Sequence, residues 1–266
     1  MSVQWLFVRS KTKTQYCILH EKKKMLIYSK RNSILWEKKD QEEVTFLFSH
    51  PNDVSWHVMR HGIFEASLID WCKQFMRSDG VFLDIGAHCG TYAVHLSSYC
   101  KEVHAFECQE KTFYQLCGSI ALSQKTNVRA HQVALCDKNN TTNILHVVSA
   151  DGGGSSMCTE LVPYLSSNQE DIKQERVSCR TLDSYKLDNI CFIKMDVEGS
   201  ELEVLKGGLE TLDRNHCPSI LFEAWKHDWY NAKRKQIFDL LKLIGYNKIM
   251  PVSGTSNMFL ATKTQT

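Results

Sequence analysis

The chain has 266 residues, 43% hydrophobic and 23% charged, which is the composition of a folded globular protein rather than a disordered one. Its formal net charge of +2 is too small a bias to hold a duplex, so nucleic acid is not expected as a partner. Eleven cysteines without a C-x-x-C pair, a short N-terminal apolar run (Val3 to Val8) with its basic residues on the wrong side for a secretory signal, and no apolar run near the ~20 residues of a membrane span lead to the expectation of a cytoplasmic protein with free thiols.

The first fifty residues alternate β-rich pieces with Lys-rich turns. Trp5–Val8, Tyr16–Leu19, Met25–Tyr28 and Thr45–Phe48 read as a small antiparallel meander, a cap or extension over residues 1–55. The Lys22–Lys24 run reads as a solvated turn, with contact to an anionic substrate as its rival. Residues 56–266 form the expected main domain. Ile63, Phe64, Leu68, Ile69, Trp71, Cys72 and Phe75 recur at helical spacing. Strands and helices then alternate: strand Val81–Ile85, helix Thr91–Ser98, strand Val103–Phe106, helix Lys111–Leu122 and strand Val128–Leu135. After an interruption come strand Cys191–Met195, helix Glu201–Leu212, strand Ser219–Phe222, helix Ala232–Leu243, and strands Tyr246–Val252 and Met258–Ala261.

Strands apolar at nearly every position are buried on both faces, which predicts a doubly wound, mostly parallel α/β sheet. The last two strands are too close for a crossover helix, so they must pair as an antiparallel hairpin. That ending is foreign to dinucleotide dehydrogenases and suits a class I methyltransferase sheet of seven strands. Residues 136–190 are an insertion with an expected hairpin at Thr142–Val148, the flexible run Asp151–Ser156, a polar stretch Ser166–Arg176 and a strand at Val177–Leu182. Such insertions tend to carry function, and Gly152–Ser156 has the composition of a lid.

Four strand ends carry chemistry. Val81-Phe-Leu-Asp84 turns through Gly86, Ala87 and Gly90 into a helix, at the edge where open α/β sheets bind ligands. The spacing is D-x-G-x-x-x-G, not the pyrophosphate fingerprint G-x-G-x-x-G. An acid at this turn repels pyrophosphate but suits the ammonium of S-adenosylmethionine, directly or through water. A capping Asp in an ordinary strand–turn–helix is the alternative. Glu107 ends the next strand, 23 residues on, where a carboxylate can accept both ribose hydroxyls of either cofactor. Lys194 and Asp196 share one side of the strand Phe192-Ile-Lys-Met-Asp, and Glu198 follows in the turn. Lys194 has a bland reading as a partner for Asp196, and Glu201 one as compensation of a helix dipole. Glu223 ends the neighbouring strand. Asp196 and Glu223 together can hold a divalent cation such as Mg²⁺ or Mn²⁺, with His227 as a candidate base.

Together these residues resemble the FkbM-type methyltransferase family. The likeness rests on Phe82-Leu-Asp-Ile-Gly-Ala-His-Cys-Gly90, Ala105-Phe-Glu107, Val133-Ala-Leu-Cys-Asp137, Gly153-Gly-Ser-Ser156, Thr181-Leu-Asp183, Ile193-Lys-Met-Asp-Val-Glu-Gly-Ser-Glu201 with Leu205-Lys-Gly207, and Leu221-Phe-Glu223. It runs from about Gly62 to the end. It implies methyl transfer from S-adenosylmethionine, usually to an oxygen of a sugar or a natural product. It places Asp84, Gly86, Gly90 and Glu107 at the cofactor, Ala134 beside the adenine, and Asp196, Glu198 and Glu223 near the acceptor. His88 stands where members often carry Asn. The expectation is an O-methyltransferase acting on a small-molecule or glycan hydroxyl. Its rivals are an RNA methyltransferase on the same sheet, an NAD-dependent oxidoreductase, and a nucleoside-binding scaffold without catalysis.

Overall fold

Every residue of Val81–Ile85 and of Ile190–Met195 is buried, as a strand covered by helices on both faces requires. The computed structural model describes residues 6–10, 13–20, 25–31, 43–48, 64–149, 152–165 and 172–264. Its strands are β1 (Leu6–Ser10), β2 (Lys13–His20), β3 (Met25–Arg31), β4 (Glu43–Phe48), β5 (Val81–Ile85), β6 (Glu102–Phe106), β7 (Val128–His131), β8 (Ala134–Leu135), β9 (Thr141–Val147), β10 (Lys173–Arg180), β11 (Ile190–Met195), β12 (Ser219–Glu223), β13 (Lys248–Pro251) and β14 (Met258–Thr262). The helices are α1 (Ala66–Cys72), α2 (Thr91–Leu96), α3 (Glu110–Leu122), the short α4 (Val162–Leu165), α5 (Glu201–Lys206), α6 (Leu209–Arg214) and α7 (Asn231–Ile244).

The main sheet has seven strands in the order β13-β14-β12-β11-β5-β6-β7. Neighbours pair in parallel except at β14, which is antiparallel to both β12 and β13. The expected terminal hairpin is therefore present. The chain leaves β5 toward β6 and β7 and later returns to place β11 on the other side of β5. That reversal of direction opens a crevice at the carboxyl ends of β5 and β11. One core layer packs Phe192 against Phe75 and Phe82, with ring centroids 4.9 and 5.9 Å apart.

The four N-terminal strands form an antiparallel meander in sequence order. Its last strand lies on the main domain. Phe46 is buried and stacks on His95 of α2, and the Leu47 N–H donates to Ser119 Oγ of α3 at 3.1 Å. Gly118 permits this contact, because a Cβ there would stand 2.5 Å from Leu47 Cδ2. The lysines 22–24 lie outside the described residues.

Three expectations needed correction. Val128–Leu135 is not one strand: β7 stays in the main sheet, while β8 pairs in parallel with β10 of a separate sheet ordered β8-β10-β9. Thr142–Val148 is not a hairpin but the single strand β9, paired antiparallel with β10. The helix expected over Glu201–Leu212 is two helices broken at Gly207 and Gly208. The reason is tertiary: a Cβ on Gly207 would stand 1.9 Å from the Cys136 carbonyl, so the chain kinks where the insertion presses on it.

Candidate active site

The turn after β5 is shaped by contact with the neighbouring strand end. Gly86 adopts φ 78°, and a Cβ there would fall 1.8 Å from the Asp196 carbonyl, so only glycine lets the two segments meet. Gly86 and Ala87 donate their N–H groups to Phe106 O, each at 2.9 Å. His88 follows at φ 51°, a left-handed position that His and Asn tolerate better than most residues. Its N–H points at Glu107 Oε2 (3.0 Å), and the Gln109 N–H donates to Glu107 Oε1 (2.8 Å). Both carboxylate oxygens are thus fixed by backbone while keeping lone pairs for a ligand.

Asp84 and Gly90 have different places from those expected. Asp84 is fully buried and does not line the cavity. Its Oδ2 accepts the Ala93 N–H of α2 at 2.9 Å, and its Oδ1 has no hydrogen bond and faces Lys194 Nζ at 3.9 Å. Burial pushes its carboxyl up to about 6. Gly90 starts α2 at φ 93°, where a Cβ would press on Leu116, and it also lies off the cavity.

The end of β11 supplies the second half of the site. Lys194 is 5% exposed; its Nζ donates to Gly86 O at 3.1 Å and lies 3.4 Å from Asp196 Oδ2. Burial opposes its charge, but Asp196, Asp84 and Glu65 outweigh that and hold its pKa above the ordinary lysine value. Lys194 is thus held between the Gly86 carbonyl and Asp196. Glu198 adopts φ 50°, an arrangement that costs a glutamate about 1 kcal/mol. Asp196, Glu198 and Glu223 each offer an oxygen within 4.8 Å of the others. Burial, then Asp196 and its neighbours, pushes Glu198 up to about 8 and Glu223 up to about 9. Glu223 Oε2 has no hydrogen-bond partner among the described residues. Glu201, expected only to offset a helix dipole, is buried instead; it accepts the Val197 and Gly199 N–H groups and the Tyr230 hydroxyl.

A cavity of about 370 Å³ joins these pieces. Glu107 stands at one end, beside an apolar slot of Phe106, Val133, Ala134, Leu135, Leu145 and Met157. Lys194, Asp196, Glu198 and Glu223 stand at the other, because β11 and β12 lie on the far side of β5 from β6. Gly86, Ala87 and His88 run along it, and Gly152, Gly153, Gly154 and Ser155 line it as well. The glycine run is tied down: Ser156 Oγ donates to Glu198 O at 2.5 Å, and a Cβ on Gly152 would clash with Gln109 and Thr112.

His227 does not line the cavity. The chain leaves the sheet after Glu223, and His227 is exposed, stacked on Trp229 with centroids 5.8 Å apart. Sequence reasoning missed Glu65 and Tyr92, which line the cavity and bond to each other (Tyr92 hydroxyl to Glu65 Oε2, 2.8 Å). The available signal was an acid directly ahead of the first amphipathic helix.

A seven-stranded sheet with one reversed strand near its edge, and a cavity at the carboxyl ends of β5, β6 and β11, is the class I methyltransferase fold. The chain belongs to the family described as Methyltransferase FkbM domain, whose match spans residues 84–248, more than half of its length. Among solved structures, the methyltransferase FkbM from Methylobacillus flagellatus KT is similar at 18% identity and TM-score 0.47, over 70% of this chain and 44% of that one. This chain thus spans less than half of that protein. A precorrin-6y C5,15-methyltransferase from Geobacter metallireducens GS-15 is similar at 12% identity and TM-score 0.47, over 82% of this chain and 94% of that one. An rRNA methylase from Streptococcus thermophilus is similar at 14% identity and TM-score 0.43, over 73% and 92%. No curated protein matches in sequence. No helix among the described residues is long and apolar enough to cross a membrane.

Proposed function

We propose that this methyltransferase takes its methyl group from S-adenosylmethionine and delivers it to a hydroxyl oxygen of a sugar or small natural product. The observation that carries the reading is one cavity running from Glu107 to the cluster of Asp196, Glu198 and Glu223. The residues fit a nucleoside: Glu107 keeps acceptor capacity for two ribose hydroxyls, and the slot around Ala134 and Leu135 suits an adenine face. They fit a sulfonium as well, because acids outnumber the Lys194 cation among the described lining residues.

S-adenosylmethionine, when bound, supplies a methyl group on a good leaving group. The chain must orient the acceptor oxygen, exclude water and accept one proton. Asp196 and Glu223 hold the hydroxyl, and Glu198 or Glu223, once ionised, receives its proton. Lys194 Nζ, 3.4 Å from Asp196 Oδ2, holds Asp196 in place. The carboxylate trio also fits a hard divalent cation: its donors are all oxygen, and Glu223 Oε2 lacks a hydrogen-bond partner among the described residues. Mg²⁺ or Mn²⁺ there would lower the acceptor's pKa. The Gly152–Ser155 run forms part of the cavity wall.

The test is methyl transfer from labelled cofactor to a panel of glycans, small phenols and RNAs, with S-adenosylhomocysteine uptake followed by calorimetry. Asp196→Ala and Glu223→Ala are expected to lose at least about a hundredfold in turnover, with Glu223→Ala still taking up the nucleoside. Full turnover in both variants sinks the assignment. Loss on chelation, restored by Mg²⁺ or Mn²⁺, decides for the cation, and indifference to chelation decides against it. Transfer to RNA alone overturns the acceptor class.

A further inference from the structure

We infer that Glu65 is the carboxylate that receives the ammonium group of the cofactor's amino-acid tail, an inference that rests on the S-adenosylmethionine reading above. Asp84, the acid singled out in the sequence, is walled off: it is fully buried, bonded to the Ala93 N–H and absent from the cavity lining. Glu107 stands at the ribose end, Asp196 is engaged by Lys194, and Glu198 and Glu223 cluster with Asp196. Glu65 is the remaining acid among the described lining residues.

Its construction suits the task. The Glu65 backbone takes a left-handed turn (φ 53°), and its carbonyl accepts the Leu68 and Ile69 N–H groups at 2.9 Å each. The start of α1 is therefore held by backbone, and the side chain is left to face the cavity. The Tyr92 hydroxyl donates to Oε2 and fixes the carboxylate, while Oε1 carries no hydrogen bond among the described residues. Tyr92 is itself buried, and Lys194 Nζ lies 5.2 Å from its ring centroid. The tyrosine that holds Glu65 thus also faces Lys194, and all three side chains line the same cavity. An acid and a fixed cation on either side of one tyrosine complement the two charges of an α-amino acid. Glu65 lies outside the family match at residues 84–248, so the family pattern does not supply it.

The experiment compares two nucleosides by calorimetry on the full chain: S-adenosylhomocysteine, which carries the tail, and 5′-methylthioadenosine, which lacks it. Glu65→Gln is expected to weaken S-adenosylhomocysteine about tenfold or more and to leave 5′-methylthioadenosine within twofold. Tyr92→Phe, which frees the carboxylate without removing it, is expected to weaken S-adenosylhomocysteine several-fold, again sparing the tailless nucleoside. Retained 5′-methylthioadenosine binding shows that each variant is folded. If both variants bind S-adenosylhomocysteine like the wild type, or lose both nucleosides in equal measure, the inference is overturned while the cofactor reading stands. If the wild type takes up neither nucleoside, the cofactor reading falls and takes this inference with it.

Discussion

At one end of the cavity Glu107 receives a backbone N–H on each oxygen. At the other, Asp196, Glu198 and Glu223 crowd within 4.8 Å, and Glu223 Oε2 receives no hydrogen bond from the described residues. The first end is settled before any ligand arrives: its amides fix geometry and leave acceptor capacity for neutral hydroxyls. The second end is unsettled. Burial and the neighbouring carboxylates push Glu198 and Glu223 well above the usual carboxylate range. Under the function proposed above, recognition and chemistry are separated along one cavity, with backbone preparing the first end and crowded carboxylates the second.

The largest effect that sharpens this contrast is expected at the settled end. Glu107→Ala should lower affinity for S-adenosylhomocysteine and 5′-methylthioadenosine alike, by about tenfold to a hundredfold, because both carry the ribose. Calorimetry that found 5′-methylthioadenosine unaffected would mean the ribose sits elsewhere.

A smaller effect is expected in stability against pH. Glu198 (about 8) and Glu223 (about 9) hold protons in the folded chain that an unfolded glutamate releases near 4.5. Their folded pKa values are raised, so their contribution is fully present below the unfolded value and is lost as pH rises through 8 to 9. Calorimetric melting should therefore occur a few degrees lower at pH 9 than at pH 7. Glu223→Gln, which cannot ionise, should flatten that decline. An unchanged slope would show that the crowded end is not the source. The smallest effect belongs to His227→Ala: the residue is exposed and off the cavity, so turnover should stay within twofold. A loss of tenfold would return a base to that position and redraw the acceptor side.

Much of this was legible in the chain itself. The strand at Val81–Ile85 was placed to the residue, because a mostly apolar run of five between Gly80 and Gly86 is too short for a buried helix. Glu107, Asp196, Glu198 and Glu223 were found because a parallel sheet puts every strand's carboxyl end at one edge, so order along the chain already gives nearness in space. Asp84 and Gly90 were found as a motif, but their side of the turn was not. The motif marks a tight strand–turn–helix, and in it the acid serves the helix N–H groups while Gly86 meets the neighbouring strand. His227 looked close to Glu223 on paper, yet four residues past a strand end suffice to carry a side chain around to solvent.

Sequence periodicity determined the doubly wound sheet, its reversed final hairpin and the row of acids along one edge, since these follow from local pattern and strand order. Tertiary contact alone decided the rest. The break at Gly207 exists because the Cys136 carbonyl presses there, and Glu65 reaches the cavity because α1 packs beside α2 and Tyr92 holds its carboxylate. The raised proton affinities of Glu198 and Glu223 likewise arise from segments far apart in the chain brought into one buried volume. No local pattern encodes a distance between such segments; only the packed sheet sets it.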